Sequence, residues 1–215
     1  MSFQWVFDNA ESISINKRPL TSQTIARDQR VRSISRGGAV WRFTVKMPTG
    51  MRWSDVRGYI ENIDNTNKLT TQTISLGSSG FNWMTGYRGP QSNPQAMTWK
   101  YSSTEAASDT TKFLLGNMPG ATGDTLFKSG DLIQPNVTGG HVYSIVNDVV
   151  KGSGATQLVQ VHRSILETPS ATAVSLIVGN NVSWKLICTQ CPNWTIVERD
   201  IVGWNGEFQF YESLL

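Results

Sequence analysis

Six side chains invite a chemical reading: His141, His162, Cys188, Cys191, Asp131 and Asp148. The two histidines are the only ones in the chain, and neither belongs to an HExxH or HxH pair. Cys188 and Cys191 form "CTQC", a C-x-x-C spacing followed by proline. Tetrahedral zinc needs four ligands, and only the two histidines could complete such a set. Thiol redox chemistry wants a C-x-x-C at a helix start in a βαβ context, whereas this one follows the strand-like run "VSWKLI". The cysteines are therefore expected to be small residues ending a strand that neither bind metal nor exchange thiols. Asp131 in "SGDLI" and Asp148 in "VNDVV" could do acid–base work if they met. Asp after Gly and ahead of an apolar strand is, however, ordinary turn chemistry. No P-loop, dinucleotide loop or nucleophile elbow is present, and "KGSGA" around Ser153 lacks the G-x-S-x-G spacing. No catalytic residue, metal or cofactor is expected, so the chain reads as a non-enzyme.

The elements that would position these residues are mostly strands. In "AVWRFTVKM" the residues Trp41, Phe43, Val45 and Met47 alternate with Arg42, Thr44 and Lys46, the period-two pattern of a half-buried strand. "QAMTWKYSS", "HVYSIVNDVV", "TQLVQVHR", "VSWKLIC" and "EFQFYESLL" repeat it. Turn signals such as "SRGG", "GSSG", "NMPGATGD", "TGG", "KGSG" and "WNGE" separate them. Short strands at this spacing predict an all-β, mainly antiparallel sandwich or barrel. One segment differs: "WSDVRGYIENID" places Trp53, Val56, Ile60 and Ile63 at helical spacing. Ser54 is the expected N-cap, and Gly58 is a weak point. The spacing predicts one short amphipathic helix over 54–64, packed on the sheet that carries Trp41 and Phe43. Residues 1–215 are expected to form a single β-rich domain, of one lobe or of two with a soft boundary near 116–124.

Composition narrows the function. The 215 residues are 39% hydrophobic and only 16% charged, enough to bury a core with a surface of Ser, Thr, Asn, Gln and Gly. No apolar run approaches the roughly 18 residues of a membrane span. The N-terminus lacks a basic region followed by an apolar core, so synthesis in the cytoplasm of the producing cell is expected. The net charge of +3 divides unevenly, as +6 over residues 1–60 and −3 over the rest. Arg27, Arg30, Arg32 and Arg36 fall in "ARDQRVRSISRGG", where Arg30, Arg32 and Arg36 share strand parity. Single-stranded nucleic acid would want aromatics interleaved with the basic residues, and none lies between Phe7 and Trp41. A partner interface or a polar lumen fits better. Among the eight tryptophans, Trp41, Trp99 and Trp184 lie in alternating strands and are expected in the core. Trp83 sits in the Gly-rich "GFNWMTGYRGP" with Phe81 and Tyr87, a loop suited to docking.

"LFKSGDLIQ", "GHVYSIVNDVV", "VQVHRSIL" and a terminal "WNGEFQFYESLL" follow an N-terminal "SISINKRPLTSQTIARDQRVRSISRGGAVWRFTVKMPTGM" and a helix. In this order they resemble structural proteins of the tailed-bacteriophage tail tip and baseplate. The resemblance implies a virion protein of tube-initiator, hub or distal-tail type, forming a ring of its own copies beside other tail and baseplate proteins. DNA would pass transiently through its lumen, and Arg27, Arg30, Arg32, Arg36, Phe81, Trp83 and Tyr87 are the candidate interface residues. A neck or tail-terminator protein would have a similar composition. Two other classes compete. A carbohydrate-binding module would use Trp83 and Tyr87 as a sugar platform, and a hydrolase would use Asp131, Asp148 or His141.

Overall fold

A computed structural model gives the structure of residues 3–25, 31–66, 68, 70–90, 93–100, 110–167 and 172–214; within 19–38 only backbone is described, and only where the strands run. In chain order the first elements are α1 (Gln4–Asp8), β1 (Ser12–Asn16), β2 (Pro19–Ile25), β3 (Val31–Ala39), β4 (Arg42–Lys46), β5 (Met51–Arg52), α2 (Trp53–Asn65) and β6 (Gln72–Ser75). Short strands follow: β7 (Thr98–Trp99), β8 (Lys112–Gly116), β9 (Thr125–Phe127), β10 (Leu132–Pro135), β11 (Tyr143–Ser144), β12 (Val149–Val150) and β13 (Thr156–Gln160). The chain ends with β14 (Val174–Val178), β15 (Ser183–Gln190), β16 (Asn193–Val197), β17 (Ile201–Asn205) and β18 (Phe208–Glu212). The fold is mostly β, with antiparallel ladders and one longer helix, as the alternation predicts.

The chain divides into two compact units, Met1–Gln72 with Leu186–Ser213, and Thr73–Lys185 with Leu214–Leu215. The division therefore does not fall near 116–124. That loop lies inside the second unit, because Leu115 before it, Met118 within it and Leu126 and Phe127 after it bury themselves in one core.

In the first unit, β1, β4, β18 and β15 lie side by side in that order. Trp41, Phe43, Val45 and Met47 are all buried, so the alternation read from "AVWRFTVKM" sets which face meets the core. Phe43 and Phe210, cross-strand partners on β4 and β18, both pack their rings on Phe7 of α1. A three-stranded sheet, β16-β17-β5, is built on the β16–β17 hairpin.

Helix α2 buries Val56, Ile60 and Ile63, three of the four expected residues. Trp53 is half-buried and stacks on Trp194, ring centroids 4.9 Å apart. Among the described contacts, Val56 and Ile60 meet a different sheet from the expected one of Trp41 and Phe43. Val56 and Ile60 cluster with Val202 and with Met51, Trp194 and Trp204, all on the three-stranded sheet. The chain explains this: α2 begins at the residue after β5, so the helix is delivered onto the sheet that β5 edges.

Nor is Ser54 the cap. The N-cap position is Arg52, without a side-chain cap bond. Asp200, in the turn between β16 and β17, accepts the Ser54 N–H at 3.1 Å on Oδ1 and the Ser54 hydroxyl at 3.1 Å on Oδ2. Its carbonyl takes the Trp53 N–H at 2.8 Å. A carboxylate at the positive end of a helix is favourable, and here it is supplied from far along the chain. Asp200→Ala is expected to lower stability by about 1–2 kcal/mol. Asp200→Asn keeps a side-chain oxygen and tolerates the left-handed φ of +75°, so it should lose less. No loss for Asp200→Ala in denaturant titrations would show that the carboxylate is not the cap. Gly58 is exposed in mid-helix, and a Cβ built there meets nothing within 4 Å. Gly58→Ala is therefore expected to stabilise by roughly 0.5–1 kcal/mol, and a destabilised variant would mean the helix is not continuous there.

In the second unit the sheet runs β11-β10-β14-β7-β8-β13. Beyond its two edge strands, Ile145 bridges Val161. Val146 N–H donates to the Gln160 carbonyl at 3.1 Å, and His162 N–H to the Ser144 carbonyl at 3.0 Å. The sheet curls until its edges meet at one end, which removes an open edge there. Its interior holds Trp99, Phe113, Phe127 and Tyr143 with aliphatic neighbours. No described helix is long and apolar enough to cross a membrane.

Candidate functional site

Asp131 and Asp148 do come to one turn. Asp131 Oδ2 accepts the Lys128 N–H at 2.8 Å, closing the turn through Gly130, whose φ is +95°. Asp148 takes the Lys128 ammonium at 2.7 Å on Oδ2 and the Ser129 N–H at 2.8 Å on Oδ1. Burial pushes the Asp131 carboxyl up, opposed by N–H donors from Lys128 and Arg88. The Lys128 hydrogen bond holds exposed Asp148 down. The two carboxyls are separated in acidity as in an acid–base pair, but each is engaged with the turn backbone. The second turn of this segment, "TGG", is shaped by glycine: a Cβ at Gly140 would lie 2.1 Å from the Pro135 carbonyl oxygen.

Both histidines lie beside Tyr143. His141 donates its backbone N–H to Glu167 Oε1 at 2.6 Å, and its Nδ1 lies 3.1 Å from the same oxygen. Tyr143 donates its hydroxyl to Glu167 Oε2 at 2.5 Å and accepts the Leu166 N–H at 2.8 Å. His162 Nδ1 accepts the Ser144 N–H at 3.1 Å. The Arg163 guanidinium lies over the Tyr143 ring at 5.1 Å and donates to the Val142 carbonyl at 3.2 Å. Burial pushes the Glu167 carboxyl up, but the hydrogen bonds from His141 and Tyr143 outweigh it and hold it below its ordinary value. Burial, then the bond to Glu167, drives the Tyr143 hydroxyl far up.

A carboxylate on imidazole Nδ1 is how a catalytic histidine is oriented. Here His141 Nε2 is buried and has no hydrogen-bond partner among the described residues, and no hydroxyl or thiol nucleophile is described against it. Cavities of 320 and 230 Å³ are lined by neither histidine. The network fits a structural clamp tying the 162–167 segment to β11. Its hub, Glu167, carries no local sequence signal.

The Trp83 loop is ordered by its own polar side chains. Ser79 caps it at the Leu76 carbonyl and the Phe81 N–H, and Thr85 bonds the Asn82 carbonyl and the Asn180 side chain. On the resulting turn, Asn82–Met84, Trp83 is 68% exposed. Phe81 is half-buried. Tyr87 is half-buried too: its hydroxyl donates to the Leu126 carbonyl at 2.6 Å and its ring packs edge-on to Phe127. Trp83 and Tyr87 therefore do not form the paired platform a sugar would need, because Tyr87 is anchored in the core.

Of the arginines, Arg27 and Arg30 lie outside the described residues. Arg32 and Arg36 are on β3, which pairs with β2 from Ile25↔Val31 to Thr21↔Ser35 and then slips to Pro19↔Ala39. Arg36 thus falls in the irregular stretch beside Gly37 and Gly38, and the strand parity counted from Arg32 does not carry through to it. No other strand among the described residues pairs with this hairpin.

Comparison with known proteins adds no identity: no family model matches the chain, and no curated protein matches it.

Cys188 is buried at the end of β15, where the register slips between Cys188 and Gln190. The slip brings Cys191 back against Cys188. Hydrogen bonding to Cys191, then burial, pushes the Cys188 thiol up, while the Cys188 contact and the Lys68 ammonium lower Cys191. Among the described residues no group of three or more His, Cys, Asp or Glu is placed to hold a metal ion.

Proposed function

We propose that this chain is a non-enzymatic virion structural protein, a subunit that closes with its own copies into a ring in the tail or baseplate region of a tailed bacteriophage. The observation that carries the reading is the β2–β3 hairpin, strands of seven and nine residues that no described strand extends. An isolated two-stranded ribbon is marginal in water and presents unpaired backbone groups, so it wants a partner chain. Its sequence carries Arg32 and Arg36, with Arg27 and Arg30 between its strands, inside the N-terminal region of +6 charge. Cyclic assembly turns that asymmetry into repeated contacts between a basic arm and the more acidic remainder of a neighbour. Exposed Trp83 is the second contact, toward another tail protein. A lumen that gripped phosphate tightly would stall DNA, which favours a protein neighbour for the arginines.

Changing Arg30 and Arg32 together to Glu is expected to leave the monomer folded, with an unchanged far-UV spectrum and melting temperature, and to impair assembly. Fully assembled particles at normal yield from this double variant would remove the arm from the interface.

A further inference from the structure

Beyond the arm, the outward face of β1, β4 and β18 carries two cross-strand rows, Ser14–Thr44–Gln209 and Asn16–Arg42–Tyr211. Together they line a cavity of 230 Å³. Among the described residues Arg42 is the only charged one in that lining. Its guanidinium carbon lies 5.2 Å from the centre of the Tyr211 ring, which fixes its plane. Arg42 Nε is buried and has no hydrogen-bond partner, and Arg42 makes no ion pair among the described residues. A buried guanidinium N–H without an acceptor is costly, so the arrangement is incomplete in the single chain.

We propose that this cavity is a docking site for one carboxylate, and that its occupant is an acidic side chain of a second copy of this chain. The ligand class follows from geometry. A guanidinium stacked by one face on an aromatic ring keeps its two Nη groups at its open edge, and that pair of N–H donors matches the two oxygens of a planar carboxylate. One cation among neutral hydroxyl and amide groups balances a single negative charge; a phosphate dianion would be left half uncompensated. The choice of a second copy rests on the ring reading and on charge complementarity: residues 61–215 carry a net −3, and a copy of the same chain brings that acidic part to every such cavity.

The test is sedimentation velocity of the full chain over a range of concentrations for the wild type, Arg42→Gln, Arg42→Lys and Thr44→Glu. Far-UV spectra and melting of dilute samples confirm that each is folded. Arg42→Gln is expected to weaken self-association at least tenfold, and Arg42→Lys to restore it only in part, since an ammonium lacks the fork. Thr44→Glu places a resident carboxylate beside Arg42. It is expected to block association as strongly as Arg42→Gln without loss of melting temperature. Equal self-association in the wild type, Arg42→Gln and Thr44→Glu overturns the site while leaving the ring reading in place. A wild type that stays monomeric throughout overturns the ring reading and this occupant together.

Discussion

Replacing Ile60 by alanine is expected to cost roughly 2–4 kcal/mol, from lost transfer energy and the cavity left behind. Ile60 is fully buried, with Val56 one turn before it on α2 and Val202 of β17 opposite. Around them stand Trp5, Trp53, Trp194 and Trp204. These rings are held in place, Trp5 by stacking on Tyr59 and Trp53 by stacking on Trp194, so the wall cannot collapse into the space that three lost carbons leave. The loss should appear as a lower denaturant midpoint at unchanged slope. A change within experimental error would mean that this helix face is not core.

Glu167→Gln is the second large effect, expected at about 2–4 kcal/mol near neutral pH. The Glu167 side chain is only 7% exposed, and three donor contacts converge on its two oxygens. An amide offers one oxygen and one NH₂, so a donor must face either the Tyr143 hydroxyl, which can rotate away, or the fixed His141 backbone N–H, which cannot. The pH dependence follows from the direction of the Glu167 shift. Its folded value lies below its ordinary 4.5, so the carboxylate stabilises the fold above that pH. That contribution disappears as pH falls through the lower folded value. The gap between wild type and Glu167→Gln should therefore be full at pH 7 and narrow steadily at about pH 4 and below. A gap as wide at about pH 3 as at neutrality would show that ionised Glu167 is not what holds the network.

What could be read from the sequence depended on how far apart the interacting residues lie. The strand through Trp41, Phe43 and Val45 and the helix through Val56, Ile60 and Ile63 announce themselves because each periodicity is local. Partner choice is not local. Ser54 stands where a capping residue usually stands, at the helix start, yet the carboxylate comes from Asp200, 146 residues away. The helix found the β16–β17–β5 sheet because β5 leads straight into it, which no hydrophobic pattern encodes. Gly and Pro content points to a boundary at 116–124, whereas the first unit is completed by the return of residues 186–213. His141 and Glu167 are 26 residues apart and meet only when the sheet curls. Cys188 lies near the end of β15 and Cys191 just beyond it, and the register slip between Cys188 and Gln190 leaves no mark in the residue pattern. Tyr87 shared a Gly-rich loop with Trp83, and only tertiary packing on Phe127 separates the anchor from the exposed ring.

Electron microscopy of the purified full chain at high concentration bears most directly on the ring. Closed annular particles are expected, with a single rotational symmetry in end-on views and with the Arg30→Glu/Arg32→Glu variant failing to form them. A uniform field of single subunits for the wild-type chain at the highest concentration reached would rule out a self-assembling ring.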